Sequence, residues 1–330
     1  MVRKRIVVIG SGTGSFGVLQ GLKSYPVDLS VIVSMTDSGG SNRVIRDEFG
    51  LLPTSDIRAC VVALASKESD TLLRKLFTYR YNAGIGISGM TFGNLFMAAL
   101  TDIYGSQETA IEKTCEIFRV KGKIIPVTFD NVHLVARYEN GRQVLGEHYI
   151  DEPEADVRES KIVELEVFPK PRVNKRALQA IGSADLIVLG PGDLYTSVLC
   201  NLVIEEIAEA VRKSKAKKVY ILNLMTKFAE TKSFSARDHL REIEKYLGGG
   251  IINVCLVNKS KVFPKGILAR YRQERAFPVK DDLDGTPDIN VIRGDFVSSR
   301  IFYGEKGDKL ARSLIRHDPQ KLAKAIVSLL

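Results

Sequence analysis

Short apolar runs alternate with helical patterns along most of the chain. Ile6 to Ile9 is an unbroken run of β-branched residues, which is typical of a strand buried on both faces of a parallel sheet. Four later runs repeat this pattern: Leu29 to Met35, Ala184 to Leu189, Lys218 to Leu222 and Ile251 to Val257. Apolar positions three and four residues apart predict helices over Ile57–Ala65, Ser69–Tyr79, Phe92–Leu100, Ser106–Phe118, Asn174–Ile181, Val198–Val211, Ala236–Leu247 and Gln320–Leu329. The alternation predicts an α/β fold with a mostly parallel sheet.

The pattern changes at about residues 122–170, where apolar and polar residues alternate with a period of two. Asn140-Gly141 lies between two such runs and is a strong signal for a β-hairpin. If the turn is a two-residue loop, His133 faces His148 across the hairpin. No third ligand is evident in the sequence, so we expect no metal there. We predict a β-rich antiparallel insertion within a single α/β domain that spans the chain.

Glycine-rich loops follow the predicted strands. The first, Gly10 to Gly14, reads G-S-G-T-G and leads directly into helical spacing at Val18, Leu19 and Leu22. Glycine suits such a turn because its backbone angles are costly for a residue with a Cβ atom, and because phosphate oxygens can then approach the main-chain N–H groups of a helix N-terminus. A tight turn that only packs helix against strand is the alternative.

Two further loops have the same character. Thr36 to Arg43 reads T-D-S-G-G-S-N-R after the second strand, and Gly190 to Ser197 reads G-P-G-D-L-Y-T-S after the Ala184 strand. The carboxyl ends of parallel strands meet at one edge of a sheet, where ligands bind. Three such loops therefore predict one anion-binding site at this edge.

Several polar residues have two interpretations. Asp37 is located where a dinucleotide-binding fold has its ribose-binding acid. An NAD(P)-dependent oxidoreductase is therefore one alternative for the function, ranked third after the two given below. Asp56 is a candidate N-cap of the helix Ile57–Ala65 or a ligand group. Thr91 and Asn94 could cap the next helix or face a ligand.

Composition excludes several classes of protein. The net charge is +9, but 48 basic residues are scattered among 39 acidic ones, Trp is absent and no nucleic-acid-binding module is recognisable. The 4 cysteines are far apart and form no C-x-x-C motif, which argues against zinc and disulfides. No apolar run approaches the length of a membrane span. We expect a cytoplasmic protein with a phosphorylated small-molecule ligand.

Seven motifs in a fixed order resemble one family. They are G-S-G-T-G, T-D-S-G-G-S, L-P-T-S-D-I-R, F-G-N-L-F-M-A-A-L, G-P-G-D-L-Y-T-S, N-L-M-T-K-F-A-E-T and R-H-D-P. The set resembles the gluconeogenesis factor (YvcK-like) family, which is related to the CofD-like 2-phospho-L-lactate transferases. The resemblance implies a three-layer Rossmann-like fold and a nucleotide or UDP-sugar site along the loop edge. In the transferase branch, a guanosine diphosphate-activated phospholactate donor passes its group to a deazaflavin with magnesium assisting.

The chain departs from the family pattern at three positions. Ser11 stands where relatives commonly have glycine, and Ser38 follows Asp37 where relatives often have a second aspartate. Met90 stands where many relatives have a histidine. These changes leave phosphate binding intact but weaken a magnesium site and remove a candidate acid or base.

We therefore expect a nucleotide-sugar-binding protein that acts in carbon metabolism and cell-envelope growth, with a CofD-like transferase as the alternative. No cofactor is required by the sequence; magnesium is the candidate, held by Asp37 with Asp193 as helper. The sequence leaves open whether the protein forms a homo-oligomer. Asn223 and Thr226 are expected at the base or ribose, and Tyr271 and Arg316 at the far end of the ligand. The predicted ligand-binding residues are Gly10, Ser11, Gly12, Thr13, Gly14, Asp37, Gly39, Gly40, Ser41, Asn94, Gly190, Gly192, Asp193, Tyr195, Thr196, Asn223, Thr226, Tyr271 and Arg316.

Overall fold

The elements follow the predicted alternation of strands and helices in a computed structural model that describes residues 3–66, 71–286, 288–302 and 313–330. The strands are β1 (Lys4–Ile9), β2 (Val27–Val33), β3 (Lys123–Pro126), β4 (His133–Tyr138), β5 (Gln143–Leu145), β6 (Ile162–Phe168), β7 (Leu186–Leu189), β8 (Lys217–Ile221), β9 (Val254–Asn258) and β10 (Asn290–Gly294). The helices are α1 (Gly12–Leu22), α2 (Gly40–Phe49), α3 (Ser55–Leu64), α4 (Thr71–Thr78), α5 (Phe92–Tyr104), α6 (Gln107–Ile117), α7 (Glu147–Asp151), α8 (Ala155–Arg158), α9 (Lys175–Ser183), α10 (Cys200–Leu202), α11 (Glu205–Lys213), α12 (Phe228–Thr231), α13 (Ala236–Leu247), α14 (Ile267–Gln273) and α15 (Pro319–Val327), with a π-helix over Leu194–Leu199.

The large sheet has the order β10-β9-β8-β7-β1-β2-β3 within the described residues, and every neighbouring pair is parallel. Strand β1, an inner strand of this sheet, is buried on both faces over Ile6 to Ile9, as the apolar run predicts. Val7 and Ile9 belong to one buried cluster, which includes residues of α9, α11 and α13. Ile6 and Val8 belong to the other, which includes residues of α1, α3 and α15. The predicted three-layer α/β fold is confirmed.

The insertion is an antiparallel sheet in the order β5-β4-β6. Its buried side chains join the same cluster as Val7 and Ile9, so the small sheet packs against one face of the large one. Strand β3, however, pairs with β2 in the large sheet. The insertion therefore begins after Pro126, a few residues later than predicted.

The predicted pairing of His133 with His148 is wrong. Tyr138 and Arg142 are joined by a backbone hydrogen bond of 2.9 Å, so the turn is a three-residue loop that ends at Gly141 with φ +82°. Three-residue hairpin loops commonly end in this left-handed conformation, and they shift the pairing by one residue relative to a two-residue loop. His133 pairs with Phe168 on β6, while His148 lies on α7 beyond the end of β5.

Other differences concern short or irregular segments. Helix α2 and strand β10 were not predicted, because a Gly-Gly loop followed by charges and a half-exposed strand carry weak patterns. The single helix predicted over Val198–Val211 is divided into the π-helix, α10 and α11. Ser69 and Asp70, at the start of the helix predicted before Tyr79, lie outside the described residues.

The strand order reverses between the neighbouring parallel strands β1 and β7. Strands β2 and β3 lie on one side of β1, and β7 to β10 lie on the other. In open α/β sheets, ligands bind in the crevice at the carboxyl end of such a pair of strands. The loops after β1 and β7 touch there: a Cβ atom on Gly14 would lie 2.2 Å from the carbonyl oxygen of Pro191. Glycine is thus required for the two loops to meet.

Candidate functional site

A pocket of about 1120 Å³ opens at the carboxyl edge of the large sheet. It lies between the three glycine-containing loops, the insertion and the segment before α15. Its size exceeds what a drug-sized ligand needs. The predicted residues that line it are Ser11, Gly12, Gly14, Asp37, Gly39, Gly192, Asp193, Thr196, Asn223, Thr226, Tyr271 and Arg316.

The other predicted residues lie outside this lining. Gly10 and Gly190 lie behind it, where the two loops approach each other. Asn94 is fully buried and donates from its amide to Ser41 Oγ at 2.9 Å and to Ser55 Oγ at 3.3 Å. These bonds make Asn94 a link between helices α2, α3 and α5. Gly40 begins α2 and Tyr195 is buried in the π-helix, while the side chain of Thr13 lies outside the described residues.

Carboxylates of the protein bind the backbone N–H groups beside the glycine loops. Asp56 Oδ1 accepts from the Gly12 N–H at 3.0 Å, where α1 begins. Asp37 Oδ1 accepts from the Gly39 N–H at 2.9 Å, just before α2. Glu230 Oε2 accepts from the Tyr195 N–H at 3.1 Å in the π-helix. Helix N-termini favour anions, and here internal carboxylates supply them.

Asp56 does not cap its own helix as predicted. Helix α3 begins at Ser55, two residues earlier than predicted, with Thr54 in the N-cap position, so Asp56 lies within the first turn. From there its side chain extends to the start of α1. The pairing joins residues 44 positions apart in the sequence, which is why a local capping pattern did not reveal it.

The loop after β2 is fixed by its own side chains and by the insertion. Asp37 Oδ2 accepts from Asn42 Nδ2 at 2.5 Å, so both carboxylate oxygens of Asp37 serve this loop. Arg46 donates to the Asp37 carbonyl oxygen at 3.3 Å and to the Val132 carbonyl oxygen at 2.8 Å. Ser38 Oγ accepts from the backbone N–H of His148 at 3.2 Å. The insertion is thereby attached to the edge of the pocket.

Helix α7 of the insertion brings three polar side chains to the pocket that the sequence did not single out for it: Glu147, His148 and Asp151. The sequence pattern placed this segment in a strand, so their common location was missed. Burial raises the pKa of Glu147 well above its usual range, and the neighbouring Asp37, Asp151 and Asp56 raise it further. The floor of the pocket is therefore rich in carboxylates that repel one another.

Lys227 lies among three carboxylates, those of Asp151, Asp193 and Glu230. Its Nζ is 2.8 Å from Asp193 Oδ2 and 3.2 Å from Glu230 Oε1, and it also bonds Asp151 Oδ1. Thr196 Oγ1 is 3.2 Å from Glu230 Oε1. Lys227 belongs to the N-L-M-T-K-F-A-E-T motif. Its charge within this motif was the signal in the sequence that could have identified it as a site residue.

The charges of this cluster depend on one another. Burial alone would lower the pKa of Lys227, but Asp193, Glu230 and Asp151 outweigh it and hold that pKa well above its usual value. Burial raises the pKa of Glu230 to about 8, with Lys227 opposing the effect and the two aspartates adding to it. Burial likewise raises the pKa of Asp151. Lys227 is thus charged at neutral pH, and its ammonium group opposes the effect of burial on the Glu230 carboxyl.

The side chains predicted to bind base or ribose are engaged within the protein. Asn223 Nδ2 donates to the Gly192 carbonyl oxygen at 2.7 Å, and Thr226 Oγ1 accepts from the Phe277 N–H at 3.0 Å. Tyr271 is buried, and its hydroxyl accepts from the N–H groups of Leu314 at 3.0 Å and Ile315 at 3.2 Å. These residues shape the walls of the pocket through such bonds.

The lining of the pocket also includes four arginines: Arg158, Arg270, Arg300 and Arg316. The Arg316 guanidinium lies 4.6 Å above the centre of the Phe302 ring and donates to the Ser313 carbonyl oxygen. An anion in the pocket would therefore have arginines available to it.

His317 follows Arg316 in the R-H-D-P motif and also lines the pocket. Its Nε2 is 3.2 Å from the Leu222 carbonyl oxygen, at the end of β8. Burial lowers the pKa of His317 to about 4. The ring is therefore neutral at physiological pH and contributes a hydrogen bond rather than a charge.

Comparisons with known proteins agree with this architecture. The model of the family described as 2-phospho-L-lactate transferase CofD matches residues 6–297. A putative gluconeogenesis factor from Aquifex aeolicus is 40% identical over 100% of this chain and 98% of its own length. The gluconeogenesis factor from Bacillus subtilis is 36% identical over 99% of this chain and 98% of its own length.

A solved structure also matches this fold over nearly the whole chain. A UPF0052 family member from Bacillus halodurans superposes with a TM-score of 0.88 at 35% identity and covers 99% of both chains. None of the described helices is long and apolar enough to cross a membrane. With a family model matched over most of its length and full-length relatives above 30% identity, this chain belongs to the CofD family, among the proteins named gluconeogenesis factors.

Proposed function

We propose that this protein binds a nucleoside diphosphate sugar, a UDP-sugar foremost, in the pocket at the carboxyl edge of its sheet. The observation that carries this proposal is the convergence of the three glycine-containing loops on one pocket at the switch point between β1 and β7. The resemblance to gluconeogenesis factors supports a cytoplasmic role in carbon metabolism and cell-envelope growth.

The distribution of charge supports a ligand with two kinds of group. Carboxylates such as Asp37, Asp193 and Glu147 line one part of the pocket and can accept hydrogen bonds from ribose and sugar hydroxyls. Arg270 and Arg316 also line the pocket and favour a phosphate-bearing ligand. A nucleotide sugar combines many hydroxyls with a short anionic bridge.

A matched pair of variants tests this proposal. Arg270 and Arg272 lie on the same short helix α14, but only Arg270 is among the pocket-lining residues. UDP-N-acetylglucosamine and UDP-glucose should raise the melting temperature more than NAD or NADP does. Arg270→Ala should weaken UDP-sugar binding about tenfold, whereas Arg272→Ala should not. Stabilisation by NADP alone would defeat the proposal and favour the oxidoreductase alternative.

Magnesium fits poorly at the residue where the sequence placed it. Both carboxylate oxygens of Asp37 accept hydrogen bonds from its own loop, and Ser38 follows it in place of a second acid. Magnesium that accompanies a diphosphate would take most of its ligands from phosphate oxygens and water. We therefore assign Asp37 the role of shaping the loop.

The second candidate is a CofD-like transferase that moves a phospholactyl-type group from a nucleoside diphosphate-activated donor. The match to the CofD family model over residues 6–297 favours it, together with the charged side chains of Asp151, Asp193 and Lys227 in the pocket lining. Incubation with a guanosine diphosphate-activated donor and a deazaflavin should give no product if the protein is a binding protein. Steady product formation that is lost in Asp37→Asn would favour the transferase.

Two further measurements complete the test. Native mass spectrometry of the purified protein would identify a co-purified nucleotide by its mass. Light scattering would establish whether the protein forms a homo-oligomer, which the sequence left open. A co-purified deazaflavin in place of a nucleotide sugar would favour the transferase.

A further inference from the structure

The ammonium group of Lys227 lies where a metal ion would be expected among carboxylates. One oxygen each of Asp151, Asp193 and Glu230 lies within 4.8 Å of the other two, a spacing compatible with a shared cation among the described residues. Lys227 Nζ contacts all three residues, at 2.8 Å for Asp193 and 3.2 Å for Glu230. The site between these three carboxylates therefore already contains a cation, the ammonium group of Lys227.

The numbers of donors and acceptors match. A lysine ammonium has three N–H donors, and here each can be assigned one carboxylate. The N–O distance to Asp193 is that of a charge-assisted hydrogen bond, while the longer distance to Glu230 indicates a weaker one. Magnesium needs oxygen ligands at about 2.0–2.1 Å in octahedral geometry, and the ammonium takes up the space that such an ion would fill. The donor set with Lys227 in place does not fit a resident metal.

We propose that Lys227 is the resident cation of this site and takes the place of the divalent metal that a CofD-type protein would be expected to use. Glu230 is fully buried, and its other oxygen accepts from the Tyr195 N–H, so a backbone group of the π-helix holds this carboxylate in place. Asp193 precedes the π-helix and Asp151 ends α7. Lys227 thus holds the loop after β7 and the insertion together without a metal.

This arrangement predicts what happens when the ammonium is removed. Lys227→Met keeps a long unbranched side chain but leaves three carboxylates facing one another without a positive charge. Their oxygens then form a vacant site for a divalent cation, since carboxylate oxygens are suitable ligands for Mn²⁺. The variant should be less stable than the wild type without metal and should regain stability when Mn²⁺ is added.

Titration with Mn²⁺ alone, without nucleotide, tests the proposal independently of the proposed ligand. Isothermal calorimetry and electron paramagnetic resonance would report binding, and melting temperature would report stability. Lys227→Met should bind one Mn²⁺ at least tenfold more tightly than the wild type. Lys232→Met is the matched control, because Lys232 pairs with Glu159 outside this cluster and its loss should leave Mn²⁺ affinity unchanged.

Two results would overturn the proposal. One is Mn²⁺ binding by the wild type that is lost in Asp193→Asn, because the trio would then hold a metal with Lys227 present. The other is a folded Lys227→Met variant that binds Mn²⁺ no better than Lys232→Met. The wild-type and Asp193→Asn measurement decides the question even where Lys227→Met does not fold.

Discussion

Asp56 binds the backbone N–H of Gly12 through its carboxylate, at 3.0 Å and at the start of α1. The N-terminus that the sequence offers to a phosphate is therefore already in contact with an anion of the protein. A nucleotide diphosphate has to share this helix end with Asp56 or displace it. The carboxylate contributes to the stability of α1 and opposes the binding of a second anion beside it.

Asp56→Ala should have opposite effects on folding and binding. Loss of the contact at the helix N-terminus should lower the free energy of unfolding by about 1–2 kcal/mol. Removal of the negative charge should tighten UDP-sugar binding about tenfold, measured by calorimetry. Asp47→Ala is the control, since Asp47 pairs with Arg43 on the exposed side of α2. Weaker binding by Asp56→Ala would instead indicate that Asp56 contacts the ligand.

Glu147→Gln should change how stability depends on pH. The pKa of Glu147 is raised in the folded protein, so the folded state binds more protons than the unfolded state above the unfolded pKa of about 4.5. The free energy of unfolding therefore falls as pH rises from that value toward the folded pKa. A glutamine side chain does not titrate, so the variant does not lose unfolding free energy in this way as pH rises. Its melting temperature should therefore be about 2 °C higher than that of the wild type at pH 8, with little difference at pH 4.

The control for this prediction is Glu152→Gln. Glu152 directly follows α7, in the same segment of the insertion, but its side chain is exposed. Its substitution should leave the pH profile of the melting temperature parallel to that of the wild type. A Glu147→Gln profile that is also parallel to the wild type would contradict the proposed repulsion.

The sequence predicted the large sheet well because its signals are local. Apolar runs such as Ile6 to Ile9 reflect burial on both faces, and their β-branched residues and the glycine turn that follows favour a strand over a helix. Glycine loops after three strands then indicated the edge of the sheet where the pocket opens. Which polar side chains are engaged within the protein was harder to predict, because Asn223 and Thr226 bond groups on other loops.

The charged cluster could not be predicted for a related reason. Lys227 contacts Asp151, which is 76 residues earlier in the chain, and Asp193, which is 34 residues earlier. Such contacts depend on how the insertion packs on the sheet. The five residues of α7 also lack the length that helical periodicity needs, so the alternating pattern extended the predicted strand beyond Leu145, the end of β5, to His148.

Tyr271→Phe should lower stability without changing ligand binding. The hydroxyl accepts from two backbone N–H groups, those of Leu314 and Ile315, and both residues are buried. Its removal leaves these donors without that partner and should cost about 1–3 kcal/mol in denaturant unfolding. Tyr79→Phe is the control, because Tyr79 is 52% exposed. A variant with normal stability and weaker UDP-sugar binding would restore the expectation that Tyr271 contacts the ligand.

Gly14→Ala should disrupt the contact between the loops after β1 and β7. The new Cβ atom would lie 2.2 Å from the Pro191 carbonyl oxygen, which is backbone and cannot move without shifting the whole loop. Because the pocket includes both loops, we expect a loss of about 2–4 kcal/mol in unfolding free energy, together with weaker UDP-sugar binding. Gly182→Ala on α9 is the matched control: nothing lies within 4 Å of its added Cβ, and helix propensity should make it neutral or slightly stabilising. If Gly14→Ala keeps wild-type stability and affinity, the close approach of these loops does not determine the shape of the site.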